Sequence, residues 1–193
     1  MINLDHPTLP LIKEALPEAK LFATEFRQQT TLIVEREVLH GLLKFLREDD
    51  RTKYDLLSDI AGIDYLRYPK PTNAPAGLPT GRFGVVYNLT ATGTNGPESR
   101  RLFIKVLLDP SLPTEGIEED PALVLPTVTD LWPGAEWMER EIFDMFGIRF
   151  TDHPDLRRIL TWESYPAHPL RKDYPVKGRG EREDYRVVDR DSA

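Results

Sequence analysis

The side chains best suited to chemistry crowd into one stretch, Glu139 to Leu160, which reads EREIFDMFGIRFTDHPDLRRIL. Glu139, Arg140, Glu141 and Asp144 fall on the last turns of a predicted helix. Gly147 follows as a stop, and His153-Pro154-Asp155-Leu156-Arg157-Arg158 follows that. A second phrase of the same kind, His168-Pro169-Leu170-Arg171-Lys172-Asp173, comes fifteen residues later. Carboxylates can serve as general acids or bases, imidazoles as proton carriers or metal ligands, and arginine forks as anion clamps. Each possibility has a plainer rival. Glu136–Arg140 and Arg140–Asp144 are i,i+4 pairs, the spacing of a salt-bridged solvent face. Proline drives the residue before it out of helical backbone, so His153 and His168 sit in turns, where an imidazole commonly bonds a backbone carbonyl. A metal held by Asp152, His153, Asp155 and His168 is conceivable, yet the spacing matches no helix-borne ligand pair such as HExxH. Arg157-Arg158 and Arg171-Lys172 read either as surface charge or as a docking strip for an acidic partner.

Other chemistries are excluded outright. The chain has no cysteine, which removes disulfides, thiolate metal sites, cysteine-held iron–sulfur clusters and a thiol nucleophile. There is no GxGxxG opening a helix after a strand, no Walker A sequence and no GxSxG. A net charge of -7 argues against a sequence-independent nucleic-acid binder. The start, MINLDHPTLP, has neither a basic segment nor an apolar one, so no secretory signal is expected. No window approaches the roughly 20 apolar residues of a membrane span. No catalytic, cofactor-binding or metal-binding residue is therefore assigned.

The elements that must position this block can be read from periodicity. Residues 7–17 suit a short helix, 20–27 a strand, Gln28-Gln29 a connection and 30–34 a β-branched strand. From Glu35 to Glu48 the apolar residues recur every three or four positions, which predicts an amphipathic helix. Its exact stop is left open, because Asp49-Asp50 suits the negative end of a helix poorly. A strand follows through Ile60 to Leu66, with Gly62 as a candidate bulge. Strands at 82–90 and 100–108 are joined across TNGPES as a hairpin. Pro-rich loops occupy 67–81 and 109–126, the second with an acidic patch at Glu115, Glu118, Glu119 and Asp120. The last helix has Thr129 or Asp130 as its cap and Pro133 in its first turn. Its buried stripe is Ala135, Met138, Ile142, Met145 and Phe146. The order α-β-β-α-β-β-β-α predicts an α+β two-layer sandwich, a mixed sheet of about five strands with helices on one side. Residues 1–160 form that domain, and 161–193 an extended C-terminal segment whose charged end, 177–193, cannot bury enough surface to fold alone.

Glu139 to Ile148, with His153 to Leu160, resembles the signature of the C subunit of the proton-pumping NADH:quinone oxidoreductase, respiratory complex I. His168 to Pro175 and the lead-in Thr127 to Ala135 are similar to that family's flanking landmarks. The strong match covers about 126–175, and a weaker one most of 20–175. The resemblance implies a peripheral-arm protein without cofactors of its own, FMN, iron–sulfur clusters and quinone lying in partner subunits. It implies packing against the D-type quinone-site partner and iron–sulfur subunits, on the cytoplasmic side of a bacterial inner membrane. The C-terminal segment would then wrap partners. On that reading Glu139, Arg140, Glu141, Asp144, His153, Arg157, Arg158, His168, Arg171, Lys172 and Asp173 serve a partner interface. Two alternatives stay open: the same domain in a membrane-bound hydrogenase or a ferredoxin- or F420-linked dehydrogenase complex, and a stand-alone metal-dependent hydrolase.

Overall fold

A computed structural model describes residues 6–69, 77–93, 99–114 and 119–180. The chain runs α1 (Thr8–Ala15), β1 (Phe22–Phe26), β2 (Gln29–Val34), α2 (Arg36–Glu48), β3 (Leu56–Asp64), β4 (Phe83–Ala91), β5 (Arg100–Leu108), β6 (Val124–Pro126), α3 (Ala135–Phe146) and β7 (Arg149–Thr151). Strands β1 to β5 form one sheet in the order β1-β2-β5-β4-β3. Only the β2–β5 pair is parallel, so the sheet is mixed, as the element order predicts. Two short strands, β6 and β7, pair parallel beside it; the sequence pattern places them in loop and in a short apolar run.

Alternation decides which face is covered. Phe83, Val85, Tyr87, Leu89 and Ala91 of β4 and Leu102, Ile104, Val106 and Leu108 of β5 are buried, while Val86 and Lys105 between them are only partly so. On α2, Leu39, Leu42, Leu43 and Leu46 follow the i, i+3, i+4, i+7 pattern and are fully buried. Each such leucine contributes roughly 1.5–3 kcal/mol of burial. The end of α2 resolves the question its two aspartates raise. The Asp49 carboxylate accepts from the N–H and guanidinium of Arg51, Asp50 pairs with Lys53, and the Thr52 hydroxyl donates to the Leu46 carbonyl.

Four local expectations change. β3 starts at Leu56 and stops at Asp64, earlier at both ends than the Ile60 to Leu66 strand expected. The β1–β2 turn is Arg27-Gln28, both left-handed (φ 51° and 65°), one residue earlier than the sequence pattern suggests; a tight hairpin asks for that geometry even without Asn-Gly. The register slip in β3 lies between Leu57 and Asp59, not at Gly62. Gly62 is needed for another reason: a Cβ there would stand 2.5 Å from the Phe146 ring, the point where α3 seats on the sheet. α3 begins at Ala135 with Gly134 as its cap and no side-chain cap, so neither Thr129 nor Asp130 serves that role. The 94–98 part of the expected hairpin, Glu115 and Glu118 of the acidic patch, and 181–193 of the charged end lie outside the described residues.

Candidate functional site

A helix ends with carbonyls that have no partner within it. At the end of α3 four successive carbonyls are met one by one. The Gly147 N–H donates to Phe143 O at 2.8 Å, with Gly147 in left-handed backbone at φ 73°. Asp144 O accepts from His168 Nδ1 at 2.8 Å and from Arg158 at 3.3 Å. Met145 O accepts from the Leu170 N–H at 3.2 Å, and Phe146 O from Arg171 Nε at 2.7 Å. The His168–Arg171 phrase is thus a cap, and its cation suits the negative end of the helix dipole. His168 Nδ1 carries its proton, because a carbonyl can only accept. Burial, with Arg171 and Arg158 nearby, holds the imidazole down at about 4, so it is neutral near pH 7.

The Asp144 side chain is the centre of a second cap. One oxygen accepts from the N–H groups of Ile159, Leu160 and Thr161 at 2.7–3.1 Å. The other accepts from Arg158 at 2.7 Å and from the Thr161 hydroxyl at 2.5 Å. Burial alone would raise this acid; the Thr161 and Arg158 bonds outweigh it and hold it at about 2. Arg158 goes on to Tyr165 O at 2.8 Å. Arg140 does not bridge to Glu136 or Asp144 as its spacing suggests. It donates to the carbonyls of Arg157 and Arg158, clamping the returning chain to the helix.

The first His-Pro turn works the same way. His153 Nε2 donates to Glu136 O at 3.0 Å and Nδ1 accepts from the Asp155 N–H at 3.0 Å, which fixes one neutral tautomer. The expectation that both histidines fix turns agrees with these bonds. Glu139 lies inside, fully buried, accepting from the Thr127 hydroxyl at 2.6 Å and the Val128 N–H at 2.8 Å. Burial pushes its carboxyl up to about 7 against those two bonds.

Of the eleven residues singled out in the sequence, Glu139, Asp144, His168 and Arg171 are buried, and the side chains of His153 and Arg158 nearly so. Of the eleven only Glu141, Arg157 and Lys172 are exposed, so the two basic pairs do not both face solvent as whole pairs. Residues 161–175 lie on the chain's own domain, with Tyr165 and Ala167 also buried. Sequence reasoning missed the partners that hold them. Asp64, at the end of β3, takes a two-pronged bond from Arg82 and accepts from the Lys172 N–H at 2.7 Å. Arg82 also pairs with Asp173 at 2.9 Å, and Thr114 bonds Arg82, Asp173 and, through its carbonyl, Arg171. The signal available was modest: Asp64 and Arg82 bracket the open end of one predicted strand pair. Among the described residues no group of three or more His, Asp or Glu could hold a metal ion. None of these residues forms a nucleophile–base pair.

Gly147→Ala tests the first cap. A Cβ would stand 2.6 Å from His168 Nε2 and force left-handed backbone on alanine. The expected cost is about 2 kcal/mol in urea unfolding, from strain plus a displaced cap; a loss under about 0.5 kcal/mol, ordinary for a surface change, would discard the account.

A model of the respiratory-chain NADH dehydrogenase 30 Kd subunit matches residues 32–180. The C subunit of the NADH-quinone oxidoreductase of Roseiflexus castenholzii is 40% identical over 175 residues, which is 90% of this chain and 86% of that one. The solved structure of the trypsin-resistant fragment of Nqo5, in its P63 form, aligns at a TM-score of 0.57 with 33% identity, over 76% of this chain and 97% of that one. The membrane-bound sulfane sulfur reductase, an archaeal respiratory membrane complex, contains a chain that aligns at 0.62 with 20% identity over 94% of each, a likeness of fold. With a helix-end signature that is spent on capping and an aligned region that runs from the second half of β2 through the remaining strands, this chain belongs to the family of the respiratory-chain NADH dehydrogenase 30 Kd subunit.

Proposed function

We propose that the chain is a non-catalytic docking and assembly subunit of an NADH:quinone oxidoreductase. The complex carries electrons from NADH through FMN and iron–sulfur clusters to quinone and moves protons, and those groups belong to partner subunits. The observation that carries this reading is the contrast at α3. The central charges of the signature, Glu139, Asp144, Arg158 and Arg171, are consumed inside the chain, while large apolar side chains stand outside. Trp137, in the first turn of α3, is 68% exposed, and Leu160 and Leu170, where the chain returns to the far end of that helix, are 64% and 50% exposed. Glu141 and Arg157 are exposed as well. Trp and Arg amid apolar neighbours are the usual energetic centre of an interface. The D-type quinone-site protein and the iron–sulfur subunits are the proposed occupants of this face, on the cytoplasmic side of the bacterial inner membrane. Among the described residues no helix is long and apolar enough to cross a membrane, so attachment through partners suits the chain. A relative at 40% identity bears the name of the C subunit of an NADH-quinone oxidoreductase, which favours this reading over a hydrogenase or F420-linked complex.

Trp137→Ala is the direct test. Its side chain is mostly in solvent, so unfolding should change by less than about 0.5 kcal/mol. Loss of an anchor of about 2 kcal/mol should weaken incorporation into the complex roughly thirty-fold, read by co-purification at limiting chain concentration. Unchanged incorporation of Trp137→Ala and Leu160→Ala alike would remove this face from the assembly.

A further inference from the structure

An open groove of about 730 Å3 runs between the lead-in to α3 and the turn after β7. Thr127, Thr129 and Glu136 are among its walls. Behind the Thr127 wall the buried Glu139 accepts from the Thr127 hydroxyl, and no lysine or arginine forms an ion pair with that carboxylate among the described residues. The groups that face it are few. His153 Nε2 stands 3.8 Å away, its proton already given to the Glu136 carbonyl. Asp130, paired with His40 of α2, comes from the lead-in and repels a charge on Glu139. From β4 comes Tyr87, a fully buried phenol whose oxygen has no bonding partner among the described residues. A buried carboxylate held by two neutral donors and no cation is a costly anion.

What distinguishes it from an inert buried acid is a route to water. Thr127 Oγ1 is 2.6 Å from the carboxylate and 3.0 Å from Thr129 Oγ1, and both threonines line the groove. We propose that Glu139 is a proton-uptake site of this subunit, filled from the groove through the Thr129–Thr127 hydroxyl chain. With the carboxylate charged, Thr129 O–H donates to Thr127 and Thr127 O–H donates to Glu139. A proton arriving from groove water at Thr129 displaces the Thr129 proton to Thr127, and the Thr127 proton to Oε2. The chain ends reversed: the acid O–H donates to Thr127, Thr127 to Thr129, and Thr129 to water. No bond in the chain is lost and no heavy atom need move, so the buried group can titrate in the folded protein. The raised position of the carboxyl, about 7, agrees with this geometry. Burial of such a group in a signature block that otherwise caps a helix gives this chain a titrating site independent of its docking face.

The test is a pH titration of the full chain carrying glutamate labelled with carbon-13 at the side-chain carboxyl, followed by NMR. One glutamate should titrate within about one unit of neutrality. Glu139→Gln should delete that signal alone. Thr127→Val removes a donor to the charged form and should raise the midpoint by about one pH unit, with Thr127→Ser restoring it. Thr129→Val should slow exchange between the two forms, seen as a broadened or split resonance. If Glu139→Gln fails to fold, the Thr127→Val and Thr127→Ser pair still decides. No glutamate titrating near neutrality, a signal that survives Glu139→Gln, or equal midpoints in Thr127→Val and Thr127→Ser would overturn the proposal.

Discussion

Asp144→Ala is expected to lower the free energy of unfolding by about 4 kcal/mol, because it removes one partner of a buried ion pair. Its two oxygens hold three backbone N–H groups, one hydroxyl and the Arg158 guanidinium. Alanine leaves all of them facing a void, and Arg158, whose side chain is 9% exposed, keeps a charge with carbonyls, a hydroxyl and the Tyr165 ring but no carboxylate partner among the described residues. Asp144→Asn is a sharper comparison. It preserves volume and one acceptor, but turns an N–H2 group toward donors, so it should recover less than half of the loss. Chemical denaturation at neutral pH measures both, with an unchanged denaturant slope showing that only stability moved. A loss below about 1 kcal/mol for alanine, the scale of an exposed pair, would mean that the knot is a surface salt bridge after all. The proposed assembly role would survive that outcome; the internal capping account would not.

How much of this could be read from the chain depends on whether a partner is local. The spacing of Ala135, Ile142 and Phe146 placed the buried stripe of α3 correctly, and Gly147 marked its stop. The same spacing puts Glu139 four residues after Ala135 and three before Ile142, in the middle of that stripe; its charge is what masked a position the periodicity had already placed inside. Asp144 is different. It is buried by residues 158–161, which return over the helix from outside its own pattern, so no helical period could announce it. Arg140 shows the limit of the i,i+4 rule: its guanidinium takes the Arg157 and Arg158 carbonyls of the returning chain, while the Asp144 carboxylate is already held by Arg158. The Asp64–Lys172 bond spans 108 positions, and one sequence carries no sign of which distant groups will meet. The fold class was legible because the type and order of the elements follow from local alternation and periodicity; the placing of β5 between β2 and β4 was not. The site was legible only as a place, not as a wiring.

That wiring makes a second large effect visible only by separating two residues. Glu139 lies at about 7 in the folded chain against an ordinary 4.5, so between those values the folded state holds a proton the unfolded state has released. Its contribution is therefore present below about pH 4.5 and is lost as pH rises toward 7. His168 lies at about 4 against an ordinary 6.5, so between them the unfolded state holds the extra proton. Its contribution is present above about pH 6.5 and is lost as pH falls toward 4. Each displacement corresponds to about 3 kcal/mol. The windows overlap and the slopes oppose, so the unmodified chain should show nearly flat stability from about pH 4.5 to 6.5. Glu139→Gln removes one arm, and its stability should climb by about 3 kcal/mol as pH rises across that window. His168→Gln removes the other and should show a fall of similar size. The slope is the quantity read, since either substitution also changes the overall level by disturbing its own bonds. Below about pH 4 all three chains should weaken together, as protonation of Asp144, held at about 2, dissolves the cap they share. Parallel profiles for the two variants between pH 4.5 and 6.5 would show that neither group titrates as its surroundings require.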